Sequence, residues 1–209
     1  GLMGSGRTRS AESIFGMHEP VEGTIKVSGR QVRSIRDAID QGVAMVPENR
    51  RLEGLMLEHS LRSNIMVTIL KECRSRLGLM DDSLGKRKAR EFVDRLSIRT
   101  DSPEKQVRLL SGGNQQKVVF AKWLAIKPKV LILDEPTIGV DIGAKVEIIN
   151  IVKSIADQGV AVLMVSSELP ELLAACDRLL VLRSGELSQE INRDELESEE
   201  ELHHAIQGV

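Results

Sequence analysis

Three stretches of the chain carry apolar runs without alternation: "GVAMVPE" (42–48), "KVLILDEP" (129–136) and "VAVLMVSSE" (160–168). A strand that is apolar on both faces needs cover on both faces, so these runs predict strands of a parallel sheet flanked by helices. Between the first two runs the period changes. From about residue 55 to residue 127 no β pattern is present, and "GKRKAREFVDRLSI" (85–98) puts Ala89, Phe92, Val93 and Leu96 on one helical face with basic residues opposite. Ser111 to about Ile126 reads as a further helix. So do residues 8–16, residues 142–158 ending near Gly159, and an acidic tail at 194–206. "VEGTIKVSG" (21–29) alternates and predicts a short, partly exposed strand, and "RLLVLRSGELSQEI" (178–191) a hairpin about Ser184-Gly185. The expected fold class is α/β: one domain over 1–209, with a helical subdomain at about 55–127 inserted into a parallel sheet.

Composition narrows the functional classes. The chain has 209 residues, 41% hydrophobic and 29% charged, which suffices for a globular core. A net charge of -2 argues against a protein whose work is neutralising nucleic-acid phosphates. Cys73 and Cys176 lack metal-ligand spacing and read as free thiols in a reducing compartment. Aromatics are 2% with no Tyr, so the core must be aliphatic. There is no secretory signal pattern and no run of about 18 apolar residues, so any membrane role is expected to come through a partner.

Three motifs carry chemistry. The opening Gly1-Leu2-Met3-Gly4-Ser5-Gly6-Arg7-Thr8 has the spacing of a phosphate-binding loop, with Arg7 where Lys is usual. Backbone N–H groups at a helix N-terminus converge on phosphate oxygens, Gly4 and Gly6 permit close approach, and Thr8 offers a hydroxyl to Mg²⁺. Taken alone, the stretch is equally a glycine-rich turn before an ordinary helix. Arg7 keeps the charge of Lys but is a planar fork rather than a compact point charge. The strand at 129–136 delivers Asp134 and Glu135 at its C-terminal end, where α/β sheets bind ligands. Asp134 suits Mg²⁺ coordination, and Glu135 suits positioning or activating a water. Third, Ser111-Gly112-Gly113 open a helix and form a second anion-binding N-terminus.

"LSGGNQQK" (110–117) resembles the signature motif of ATP-binding cassette (ABC) ATPases. The order of phosphate loop, helical block, signature and acidic strand resembles that family over nearly the whole chain. "EPTIGVDIGAK" (135–145) resembles its D-loop, with Asp141 at the key position, and 164–187 resembles its switch region. "VPENRRLEGL" (46–55), "GVDIGAK" and "SSELPEL" resemble the second cassette of importers for ribose, galactose, xylose or related solutes, in which two cassettes are fused. The resemblance implies a P-loop ABC domain that binds ATP and Mg²⁺. It assigns Gly1, Gly4, Ser5, Gly6, Arg7, Thr8, Ser111, Gly112, Gly113, Gln115 and Asp141 to the nucleotide. It assigns Thr8, Glu48 and Asp134 to the metal, and Glu135 and Ser167 to catalysis. Three departures accompany it: Arg7 for the loop Lys, Glu48 for the usual Gln, and Ser167 for the switch His. The signature shows none.

In the family each ATP lies between one cassette's phosphate loop and the other's signature. The expectation is therefore that Ser111, Gly112 and Gly113 complete a hydrolytic site of a partner cassette, while this chain's own loop turns over slowly. The implied partners are that cassette, membrane permease subunits and, indirectly, a periplasmic or extracellular solute-binding protein, with no nucleic acid. The implied location is the cytoplasmic face of the membrane. Alternatives are a catalytically silent regulatory cassette and, less favoured, a soluble ABC ATPase acting on ribosomes or DNA. The family sets a strand before the loop, so a domain lacking its N-terminal strands is expected, with strand edges unpaired. Trp123 is expected in the core, Met56, Met66 and Met80 as apolar filler, and Lys86-Arg87-Lys88, Arg90 and His203-His204 on solvated faces.

Overall fold

The computed structural model describes residues 4–73, 81–196 and 198–207; Gly1 and Met80 of the expected groups lie outside them. The chain runs α1 (Arg7–Ile14), β1 (Lys26–Val27), β2 (Arg30–Gln31), α2 (Ile35–Asp40) and β3 (Val43–Val46). It continues through α3 (Leu61–Met66), α4 (Asp82–Arg95), α5 (Gly112–Leu124), β4 (Val130–Asp134) and α6 (Ile142–Asp157). It ends with β5 (Ala161–Val165), α7 (Leu169–Ala175), β6 (Arg178–Arg183), β7 (Glu186–Asn192) and α8 (Glu199–Gln207).

The three apolar runs form one parallel sheet in the order β3-β4-β5. Val43 pairs with Val130, and Asp134 with Val165, so the sheet's carboxyl end carries the acidic pair. β3 is buried at every position, as is β4 from Leu131 to Asp134. β5 was expected to be equally buried, but Ala161 is exposed and the rest is half-covered. Among the described strands it pairs only with β4, so one edge and part of its faces lack neighbours.

α5 packs between the sheet and the helices that follow β3. Val118, Val119, Phe120 and Ala121 are fully buried, and α5 contacts α3, β3 and α6. α6 follows a one-face pattern: Ala144, Ile148, Ile149, Val152 and Ile155 are buried at helical spacing. No strand occurs among the described residues between β3 and β4, and α4 buries Ala89 and Phe92 as the periodicity requires. Trp123 meets Phe15 edge-on at 5.6 Å, which ties α5 to the end of α1.

The predicted strand at 21–29 reduces to Lys26–Val27 against Arg30–Gln31. Ser28 and Gly29, with φ of 49 and 78, turn the chain back at once, so only two residues find partners. The C-terminal hairpin forms about Ser184-Gly185 as expected, but its last helix begins at Glu199 rather than near 194. Leu179, Val181, Ile191, Leu196, Leu202 and Ile206 form a second small core beneath it. No helix among the described residues is long and apolar enough to cross a membrane.

Two glycines separate strain from collision. Gly16 and Gly159 both have left-handed φ, 84 and 88, but a Cβ on Gly16 would lie 2.5 Å from the Ser34 backbone, and one on Gly159 would meet nothing within 4 Å. Gly159→Ala should cost about 1–2 kcal/mol from backbone strain alone. Gly16→Ala should cost clearly more, read as the difference in denaturant midpoints at equal m-value.

Candidate functional site

The glycine loop has the geometry its composition predicts. Gly4 and Gly6 take φ of 81 and 93, which only glycine adopts readily, and Gly6 is the N-cap of α1. Gly6 offers no side-chain cap, and the first turn of α1 holds no acidic residue. Its leading N–H groups are thus available to an anion, with the helix dipole behind them. The Ser5 carbonyl accepts the Gly185 N–H at 3.1 Å, and the buried Ser5 Oγ has no partner.

β4 brings Asp134 beneath this helix. Thr8 Oγ1 donates to Asp134 Oδ1 at 3.4 Å, and Asp134 Oδ2 is buried with no hydrogen-bond partner. Burial, with the negative charges of Glu48, Glu135 and Glu12, pushes the Asp134 carboxyl up to about 6 against the opposing hydrogen bond from Thr8. A buried carboxylate with an unpaired oxygen and a neighbouring threonine hydroxyl fits a hard divalent cation. The described residues contain no cluster of three or more side-chain ligands, so such an ion would take its remaining oxygens from phosphate and water.

Glu135 is arranged differently. It is a non-glycine residue at φ 46, a strained conformation kept at the strand's end. Glu135 Oε2 accepts from both Ser167 N and Ser167 Oγ at 3.0 Å. Glu135 Oε1 lies 3.5 Å from Arg7 Nη2, while Arg7 Nη1 donates to the Ser166 carbonyl at 3.1 Å. Arg7 therefore reaches across to the end of β5, and Arg7 and Ser167 together engage both oxygens of Glu135. A buried network stands behind them: Glu171 accepts from Thr137 Oγ1 at 2.6 and 2.7 Å and from Ser166 Oγ at 3.0 Å.

A second group forms at the start of α5. Ser111 is its N-cap, and Ser111 Oγ accepts from Asn114 N at 3.4 Å and Asn114 Nδ2 at 2.8 Å. Asn114 Oδ1 accepts the Arg99 N–H at 2.8 Å, which fixes the amide's orientation. Both donors feed into the serine oxygen, so its own proton is free to point outward to an acceptor. Gly113 is required by close helix approach, because a Cβ there would lie 2.5 Å from Ala144 Cβ. Asp141 caps α6 through Ala144 N at 2.9 Å. Ser111, Gly113, Asn114 and Asp141 line a cleft of about 120 Å³.

The structure thus gathers Gly4, Ser5, Gly6, Arg7, Thr8, Asp134, Glu135 and Ser167 in one place, with Glu48 close enough to act on Asp134, and Ser111, Gly112, Gly113 and Asp141 in another. Gln115 stands apart from the expected nucleotide group. It is 1% exposed, and its amide donates inward to the Val107 and Leu110 carbonyls, so it braces the preceding turn. Sequence reasoning missed Arg50, Thr137 and Glu171, whose roles depend on contacts between segments 34 to 89 residues apart.

Residues 1–138 match the family model described as "ABC transporter", and the chain belongs to that family. It is 47% identical over 210 residues to the "Ribose import ATP-binding protein RbsA" of Shouchella clausii, which covers all of this chain and 42% of that protein. The Bacillus licheniformis protein of the same name is 47% identical over 205 residues, 95% of this chain and 41% of that one. The chain therefore spans about two-fifths of the length of these curated relatives, and the match falls in their C-terminal half. A solved nucleotide-free ATP-binding cassette from an ABC transporter superposes with a TM-score of 0.80 at 20% identity, over 99% of this chain and 81% of that one. That likeness shows the fold.

The raised Asp134 pKa sets a pH signature for the metal-free protein. An acid whose pKa rises from 3.8 to about 6 on folding binds more protons folded than unfolded between those values. It therefore withdraws stability as pH climbs through that window, at up to about 1.4 kcal/mol per unit. Asp134→Asn should gain on the unsubstituted protein from pH 4 to pH 6 and hold that advantage above, measured as the difference in melting temperature across pH.

Proposed function

We propose that this chain is the second nucleotide-binding unit of an importer for ribose or a related sugar, and that its main contribution to ATP hydrolysis is its Ser111 half-site. The observation that carries this reading is the contrast between its two groups. Ser111 Oγ accepts from Asn114 N and Nδ2, which leaves its own proton for an acceptor, at a cleft shared with Asp141. Glu135, the candidate base, has both oxygens engaged by Arg7 and Ser167. The names of the relatives support the substrate class, and their greater length supports a fused partner cassette.

On this reading ATP and Mg²⁺ bind at the chain's own loop. Gly4, Gly6 and the first turn of α1 hold phosphate, and Thr8 and Asp134 hold the cation, with Glu48 nearby. The cation would neutralise the Asp134 carboxylate that burial disfavours. Turnover there is slow, because both oxygens of Glu135 are already engaged by Arg7 and Ser167 and must be released before one can position a water. A signature N-terminus facing a partner's nucleotide stabilises charge developing on the γ-phosphate. The chain sits at the cytoplasmic face of the membrane. The docking face for the permease is the segment near 55–80, of which 74–80 lie outside the described residues, together with the loop at 47–54.

The engaged state of Glu135 also favours a second reading, a silent cassette that binds ATP and regulates its partner. Two substitutions in the full transporter separate them. Ser111→Arg should lower ATPase and uptake at least tenfold, and Glu135→Gln less than fivefold. Unchanged activity in both variants would leave only the regulatory reading. A loss confined to Glu135→Gln would place hydrolysis at this chain's own loop and refute the proposal.

A further inference from the structure

The segment after Glu48 holds two adjacent arginines for which composition offers no explanation. Residues Arg50–Gly54 form a single π-helical turn, entered through Asn49, whose side chain accepts the Leu52 N–H. π-turns break helical register and recur at functional sites. From this turn Arg50 reaches the loop that follows β4: its Nη1 donates to the Ile138 carbonyl at 2.6 Å and its Nη2 to the Gly139 carbonyl at 2.9 Å. Arg51 reaches the other way, donating from Nε to Gln115 Oε1 at 3.3 Å. Gln115 in turn holds the Val107 and Leu110 carbonyls ahead of Ser111.

Arg50 is 9% exposed, has no carboxylate partner among the described ion pairs, and its Nε is buried without an acceptor. A desolvated guanidinium held only by neutral carbonyls is a costly way to fill space. Its surroundings are shaped to admit it. A Cβ on Gly112 would lie 3.0 Å from Arg50 Nη2 and 3.2 Å from the Gly139 carbonyl oxygen. Gly139 has φ 66, and Gly54 packs where a Cβ would meet Arg50 Cβ at 3.5 Å. One side chain thus touches the turn after Glu48, the loop leading to Asp141 and the first residue of α5.

We propose that Arg50 is a positioning residue for the Ser111–Asp141 half-site: its fork fixes the 138–139 carbonyls and so sets where Asp141 and the start of α5 face the partner cassette. This rests on the reading that Ser111 completes a partner's ATP site. Arg50 follows Glu48 by two residues, so it also joins the segment beside this chain's own cation position to the half-site facing the partner. The role needs the planar fork. A Lys presents one compact ammonium and cannot hold both carbonyls in the same geometry.

The test is made in the full transporter. Arg50→Met should lower the ATPase kcat at least tenfold with the KM for ATP changed less than twofold, and Arg50→Lys should recover less than a fifth of the loss. Hydrogen exchange on the assembled transporter supplies a second readout. The Val140 amide, bonded to the Thr137 carbonyl at 3.3 Å, should exchange at least tenfold faster in Arg50→Met, with the 130–134 strand unchanged. Undiminished turnover in Arg50→Met, full rescue by Lys, or faster exchange in the strand as well would overturn the assignment. If Arg50→Met does not assemble, Arg50→Lys decides: loss of kcat with an unaltered strand supports the role, and retained kcat refutes it. Ser111→Arg run in parallel isolates the underlying reading. If it has no effect, that reading fails and the assignment with it. If it abolishes turnover while Arg50→Met does not, only the assignment fails.

Discussion

The buried end of β4 is the constraint from which the rest follows. Four of its five residues are buried between β3 and β5, and the strand leaves the sheet on two carboxylates. One of them, Asp134, has an oxygen with no partner and is pushed up to about 6. A buried carboxyl of this kind is neutralised either by a proton or by a neighbouring positive charge. The glycine loop and α1 lie against this end, with Thr8 bonded to the same carboxylate. The position of the loop, the choice of Thr8 and the raised proton affinity of Asp134 are one arrangement seen from three sides.

The second carboxylate is held quite differently from the first. Glu135 keeps a strained backbone, yet its side chain is engaged by Arg7 and Ser167. Arg7 and Ser167, from the glycine loop and the end of β5, converge on one carboxylate. Arg7 combines the charge of the usual lysine with a reach that carries it out of the loop to the Ser166 carbonyl. The start of α5 has no such obstruction, and its glycines are explained by close packing against Ala144 and Arg50.

Much of this was legible in the sequence, for physical reasons. Strands apolar on both faces have no other home than a covered parallel sheet, so β3 and β4 were readable from Val43–Val46 and Val130–Leu133. The hairpin about Ser184-Gly185 was readable because Gly185 takes left-handed φ at no steric cost, and Ser184 joins it there at φ 50. β5 read as more buried than it is, because apolar runs do not report how many neighbours a strand finds. The inward direction of the Gln115 amide was not legible, because a motif position does not reveal which way an amide points. Arg50 and Glu171 were invisible, since their partners lie far along the chain and their burial contradicts their composition.

On the proposed reading, this chain serves hydrolysis through Ser111 more than through its own phosphate loop. Vanadate trapping with a photoreactive ATP in the intact transporter tests it most directly, because vanadate holds nucleotide only where the γ-phosphate is cleaved. Trapped label is expected in the partner cassette's phosphate loop, with little at residues 4–8 of this chain. Equal or greater trapped label at residues 4–8 would contradict it.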